Sequence, residues 1–187
     1  MKFIGFLLLS VFATTVSAAI ELQSDSSQGH VSFFALGRPS MIRIRGEASG
    51  PEGKLAIQNG KANGEFRLDL KNLNTGISLR DEHMKEKYLE VGKNPNAILK
   101  IQEMPLPPNL QKINSTEFKG ELTLHGVTKA IQGKFEVEES SGQKKAKAEF
   151  SIALDDFGID IPKYMGISVA KEVTVEVNLA LREVGSK

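Results

Sequence analysis

Apolar and charged residues alternate along most of this chain. The stretch 65–73 shows it most plainly. Phe66, Leu68 and Leu70 share one face, and Glu65, Arg67, Asp69 and Lys71 share the other. A period of two with that sorting predicts a strand with one dry side and one wet side. The same signal predicts strands at 30–36, 41–47, 54–58, 97–102, 116–125, 129–138, 144–154 and 171–182. In the second of these, Ile42 and Ile44 oppose Arg43 and Arg45. Phe118, Leu122 and Leu124 point one way, as do Ile131, Phe135 and Val137. Ala146, Ala148, Phe150, Ile152 and Leu154 are in phase, and so are Val173, Val175, Val177, Leu179 and Leu181.

Turn signals separate these runs: 37–40, 50–53, a loop at 59–64, 126–128 and 140–142. Residues 104–109 contain three prolines and read as a surface connection. The polar stretch 19–28 reads as a frayed end or an edge. Only 75–91 breaks the alternation. There Ser78 is placed to cap a helix over 78–91, with Asp81 and Glu82 in its first turn. Asp81 and Lys85 form a favourable (i, i+4) pair. Met84, Tyr88 and Val91 share a face with Leu89 beside them, and Gly92 and Pro95 stop the helix. Eight or nine short antiparallel strands with one helix predict an all-β domain, either a closed up-and-down barrel or a sandwich.

The first eighteen residues stand apart. Lys2 precedes an apolar run from 3 to 12, and Val16-Ser17-Ala18 fits a cleavage site. This predicts an export signal at 1–18, cut near Ala18, and a mature domain at 19–187 in the periplasm or outside the cell, without stable membrane insertion. The whole chain carries 24 Lys and Arg against 23 Asp and Glu. Losing the leader removes Lys2 and no acid, which leaves the signs balanced. Balance argues against a nucleic-acid partner. The absence of cysteine excludes disulfides, thiolate metal sites and a cysteine nucleophile.

No catalytic constellation emerges. Asp156-Phe157-Gly158 matches the kinase DFG, but no glycine-rich loop or HRD motif accompanies it. Ser168 to Lys171 spells SxxK, yet it leads into a strand and lacks its partner motifs. His30, His83 and His125 are not at helical ligand spacing, so neither metal nor cofactor is expected. The reading is therefore a non-enzyme. Gly120, Gly133, Ala146 and Ala148 sit at inward positions and leave room inside. On pattern alone, a ligand cavity and a plain packed core stand equal.

Three blocks then add a resemblance. The segments TGISLRDEHMKEKYLEV, GELTLHGVTKAI and DFGIDIPKYMGISVAKEVTVEVNLAL follow in the order and spacing typical of the YceI-like family. The resemblance runs from about Phe33 to Leu181. It implies a lipocalin-like up-and-down antiparallel barrel of about eight strands, with one helix inserted near 78–91 and an elongated apolar tunnel. It also implies periplasmic binding or carriage of an isoprenoid-type lipid, such as a polyprenyl phosphate or a quinone, or another long-chain amphiphile. On that reading Phe33, Phe66, Leu68, Leu70, Met84, Tyr88, Leu122, Leu124, Phe135, Phe150, Ile152, Val173, Val175 and Val177 line the tunnel. Arg80, Asp81 and His83 stand at the rim, to meet a head group or to fasten the helix. The competing reading is an exported barrel with a filled core that acts through its surface. Pairing of two barrels stays open. The chain departs from the family pattern at Gln28, where a histidine is usual, and at Asn94 and Ile98-Leu99, where aromatics are favoured.

Overall fold

The computed structural model describes residues 19–38, 42–106, 110–140, 143–164 and 167–184. The export signal predicted at 1–18 lies outside them. So do the tips of the turns expected at 37–40 and 140–142, and two of the three prolines in 104–109. The strands are β1 (Ile20–Ser24), β2 (His30–Arg38), β3 (Arg43–Ser49), β4 (Glu52–Gln58), β5 (Lys61–Asp69), β6 (Asn96–Pro105), β7 (Lys112–Leu124), β8 (Val127–Ser140), β9 (Gln143–Ala153), β10 (Lys163–Tyr164) and β11 (Ile167–Val184). One short helix, α1 (Ser78–Glu82), continues into a π-helical turn, His83–Tyr88.

The sheet closes on itself. Its path runs β1, β4, β5, β6, β7, β8, β9 and β11, and β11 pairs back onto β1, all antiparallel. This is an eight-stranded barrel. Two of its positions are shared by broken strands. β1 and β2 occupy one, each pairing with a different part of the eighteen-residue β11. β3 and β4 occupy the next. The breaks lie side by side. The amide of Gly50 donates to the carbonyl of Gly29 at 2.9 Å, and a Cβ on Gly50 would sit 2.4 Å from the Gly29 Cα. Only glycines let two backbones bend together at that distance.

β1 corrects the sequence reading of 19–28 as a frayed end. Ile20 to Ser24 pairs on both edges, with β4 and with β11, and so closes the barrel. Leu22 is 4 % exposed and Ser24 2 %. The loop expected at 59–64 is also mostly strand. Only Asn59 and Gly60 turn, both at positive φ, and Ala62 is fully buried. Gly64 is held in the ladder because a side chain there would strike the Lys54 carbonyl at 2.4 Å.

The helix differs from expectation in three ways. Ile77, not Ser78, is its N-cap, and no side chain caps it. Its second half widens, with the Leu89 amide reaching the Met84 carbonyl, a five-residue step typical of a π-turn. The left-handed residue that ends it is Glu90 (φ 45°), not Gly92. The helix, the turn at 125–126 and the segment 154–164 all lie at one end of the barrel, called here the helix end.

The Ser24 hydroxyl donates to the Pro51 carbonyl at 2.9 Å in a buried site, tying β1 to the break between β3 and β4. Ser24→Ala leaves that carbonyl dry and unpaired. The expected loss is about 1–3 kcal/mol of stability, read from the urea unfolding midpoint.

Candidate functional site

The dry faces of the strands converge on a single elongated cavity of about 670 Å³. That volume is in the range of small-molecule sites. On β11 alone its wall runs from Val169 to Leu181, roughly 40 Å of extended chain. The wall is aliphatic and aromatic along its length. Among the described residues, polar side chains reach it only at the ends. Thr75, Arg80, His83 and Lys163 do so at the helix end, and Lys144 at the other. Lys144 is neutralised there, its Nζ lying 3.1 Å from Glu139.

Glycines keep the rings out of the lumen. Phe33 lies across from Gly46, Phe66 across from Gly53, and Phe118 and Phe150 flank Gly133 from both sides. A Cβ on Gly46 would come within 2.2 Å of the Phe33 ring. On Gly53 it would come within 2.5 Å of Phe66, and on Gly133 within 2.7 Å of Phe118. Each ring therefore lies on the backbone of the next strand. Phe118 also meets Phe135 and Phe150 edge to face, at 6.5 and 6.2 Å, a preferred aromatic geometry.

At the helix end, Thr75 organises the rim. Its backbone amide donates to Asp81 at 2.8 Å and its hydroxyl donates to the same carboxylate. The Arg80 Nε donates to the Thr75 hydroxyl and one terminal nitrogen donates to the Thr75 carbonyl, both at 2.8 Å. Arg80 and Asp81 thus clamp the start of α1 through one threonine. Asp81 is spent there rather than on Lys85. Asn74 in turn bridges to Glu47 of β3, so the clamp is anchored to the barrel.

A second fastening holds the far side of the lid. The His125 Nδ1 lies 3.1 Å from the Phe157 carbonyl and its Nε2 lies 3.3 Å from Glu90. Phe157 is 1 % exposed and fills the space beneath. In Asp156-Phe157-Gly158 only the phenylalanine is buried, and Gly158 is the left-handed residue that ends the turn. The Glu90 carboxyl is held below the usual range, first by the Lys93 ammonium and then by His125. Lys171 of the SxxK stretch pairs with Asp155. No group of three His, Asp or Glu side chains among the described residues is arranged to hold a metal ion. No helix among them is long and apolar enough to cross a membrane.

A family model, the YceI-like domain, matches residues 22–181. The chain belongs to the YceI-like family. Among curated proteins no sequence matches it. Solved structures share its fold. A polyisoprenoid-binding domain from Saccharophagus degradans, implicated in plant cell wall breakdown, is 16 % identical, with a TM-score of 0.67 over 87 % of this chain and 98 % of that one. BcnA of Burkholderia cenocepacia is 13 % identical, with a TM-score of 0.68 over 84 % and 98 %. A YceI protein of Campylobacter jejuni is 14 % identical, with a TM-score of 0.51 over 99 % and 94 %.

In this YceI-like barrel all fourteen side chains expected to face inward, from Phe33 and Phe66 to Val175 and Val177, touch the cavity. Of the rim residues, Arg80 and His83 touch it and Asp81 does not. Lys163 also lines the cavity, and an isolated lysine in a loop carries no periodic signal in the sequence. Leu22 and Leu55 line it as well, on strands too short to offer many repeats. Gly133 and Gly120 do not add empty space, as their inward phase suggests. They seat rings and aliphatic side chains of neighbouring strands.

Two measurements test this arrangement. Gly46→Ala loses about 1–3 kcal/mol through overpacking against Phe33, and most of it returns in Gly46→Ala combined with Phe33→Leu, read from urea unfolding of the cycle. The Glu90 carboxyl, with its lowered folded value, stabilises the fold above its unfolded value of 4.5. That contribution disappears as pH falls through the lowered value. Glu90→Gln therefore flattens the acid decline of the urea midpoint.

Proposed function

We propose that this protein binds and carries an isoprenoid-type amphiphile, a polyprenyl phosphate or a quinone, in the periplasm, with 19–187 as its mature domain. The observation that carries the reading is the lumen: long, apolar along its walls and polar only at its ends. An amphiphile has one polar head and an apolar tail, and with Lys144 paired to Glu139 the head-group side is the helix end. Its tail fits the wall of Phe66, Leu68, Phe135, Val175 and their neighbours. Its head group reaches the helix end, where Arg80, His83 and Lys163 are cationic or polar. Asp81 serves by holding Arg80 in place.

The energetic logic is plain. Moving apolar chain into water costs roughly 0.8 kcal/mol per CH₂. Ten such carbons amount to about 8 kcal/mol, roughly a millionfold in partition. A carrier needs only shape and dryness to offset this. The aliphatic and aromatic wall suits the binding of an apolar chain. A lumen of about 670 Å³ also weighs against a filled core that acts only through its surface.

Protein purified natively from its own compartment is expected to yield a long-chain isoprenoid in solvent extracts analysed by mass spectrometry. Ala148→Trp, which puts an indole into the lumen wall, is expected to lower isoprenoid uptake at least roughly tenfold with the barrel still folded by circular dichroism. An empty extract together with no binding of added isoprenoid refutes the proposal.

A further inference from the structure

We infer that the helix-end rim is a docking surface for an anionic lipid bilayer, the source from which the cavity is filled. The inference deepens the lipid-binding reading and rests on it. Among the described residues five large apolar side chains are strongly exposed: Leu36, Ile42, Ile77, Leu79 and Val184, at 41 to 52 %. Four of these five lie at one rim. Leu36 on β2 pairs with Arg43 on β3, next to Ile42. The antiparallel bridge from Glu47 to Asn74 runs the chain toward Ile77 along β3, back to the strand's start. Val184 alone lies at the opposite end.

Ile42, Ile77 and Leu79 also line the cavity. The apolar wall of the lumen therefore continues onto the outside of the protein. Exposed apolar surface gathered at one site marks a binding surface, and here it surrounds the opening of a dry tunnel. A ligand that cannot enter water needs such a continuous path.

Charge selects the partner. Alternation along β2 and β3 puts Arg43 and Arg45 on the outer face, opposite Ile42 and Ile44, with Arg38 at the end of β2. Arg45 lies over the Phe34 ring at 5.3 Å. None of the ion pairs among the described residues uses an arginine. Lys163 adds a cation across the opening. On the lid, Glu82 and Glu86 are matched by Lys85 and Lys87, and Asp155 is held by Lys171. Asp156, Asp160 and Glu172 are the remaining exposed acids on the β9–β11 side of the rim, while the β2–β3 arm carries Arg38, Arg43 and Arg45 against Glu47 alone, so the arm holds the positive excess. Apolar tips flanked by cations are the chemistry of interfacial membrane binding.

The test is co-sedimentation of the full mature protein with phosphatidylcholine vesicles, with and without phosphatidylglycerol. Leu36, Arg38 and Arg43 do not line the cavity, so their variants separate docking from ligand uptake. Wild type is expected to bind the anionic vesicles, more weakly as salt rises. Arg43→Gln and Arg38→Gln should each weaken partition about fivefold, the scale for a surface cation at such a bilayer. Leu36→Ser should weaken it too. Isoprenoid binding from detergent should be unchanged in all three. Failure of wild type to bind anionic vesicles, or equal binding by wild type and variants, overturns the inference even if lipid co-purifies. A dimer in sedimentation that Leu36→Ser abolishes would assign the rim to a second copy instead.

Discussion

A phenylalanine ring on one strand lies over a glycine on the next at three places in the barrel wall. Phe33 rests on Gly46, Phe66 on Gly53 and Phe118 on Gly133. A ring that stood into the lumen would fill an eight-stranded barrel, whose interior is only wide enough for side chains or one small ligand. Laid on a glycine, the same ring buries its face against backbone and leaves the axis clear. The chain thus keeps the apolar area of its aromatics without giving up the space. Ala146 and Ala148 extend the effect along β9.

That hollow has to be closed at one end without being sealed. The helix end meets this with two fastenings on opposite sides. Thr75, Arg80 and Asp81 fix the start of α1, and His125 joins the end of the π-turn to the Phe157 plug. Between them Ile77 and Leu79 stay half exposed while touching the cavity. The polar groups are spent on holding the lid, and the apolar ones face the opening. This division gives Thr75, Arg80 and Asp81 a structural task at the lid.

Much of this was legible in the alternation. A strand's period of two sorts inward from outward positions with no tertiary knowledge, provided the strand repeats often enough. β5, β7, β9 and β11 are long, and their inward residues read correctly. β1 has five residues, mixed with polar ones, and its partners lie at 53–57 and 181–184. Nothing local marks it as the strand that closes the barrel. Ser78 looked like a cap because its residue type is right. The observed N-cap is Ile77, since Asn74 and Thr75 are already committed to β3 and to the clamp.

By itself the sequence determined strand faces, the place of the single helix and the balance of charge, because these are set by neighbours two to four residues away. Only the tertiary structure decided that the barrel is hollow. Whether Gly133 is a gap or a seat depends on register, on which residue of the next strand stands opposite. Register is fixed by pairings across the whole chain, such as Val177 with Ala148 and with Val31. The same holds for the rim, where Leu36, Ile42, Ile77 and Leu79 meet only after the sheet has closed. Local chemistry writes the wall, and closure makes the lumen and its mouth.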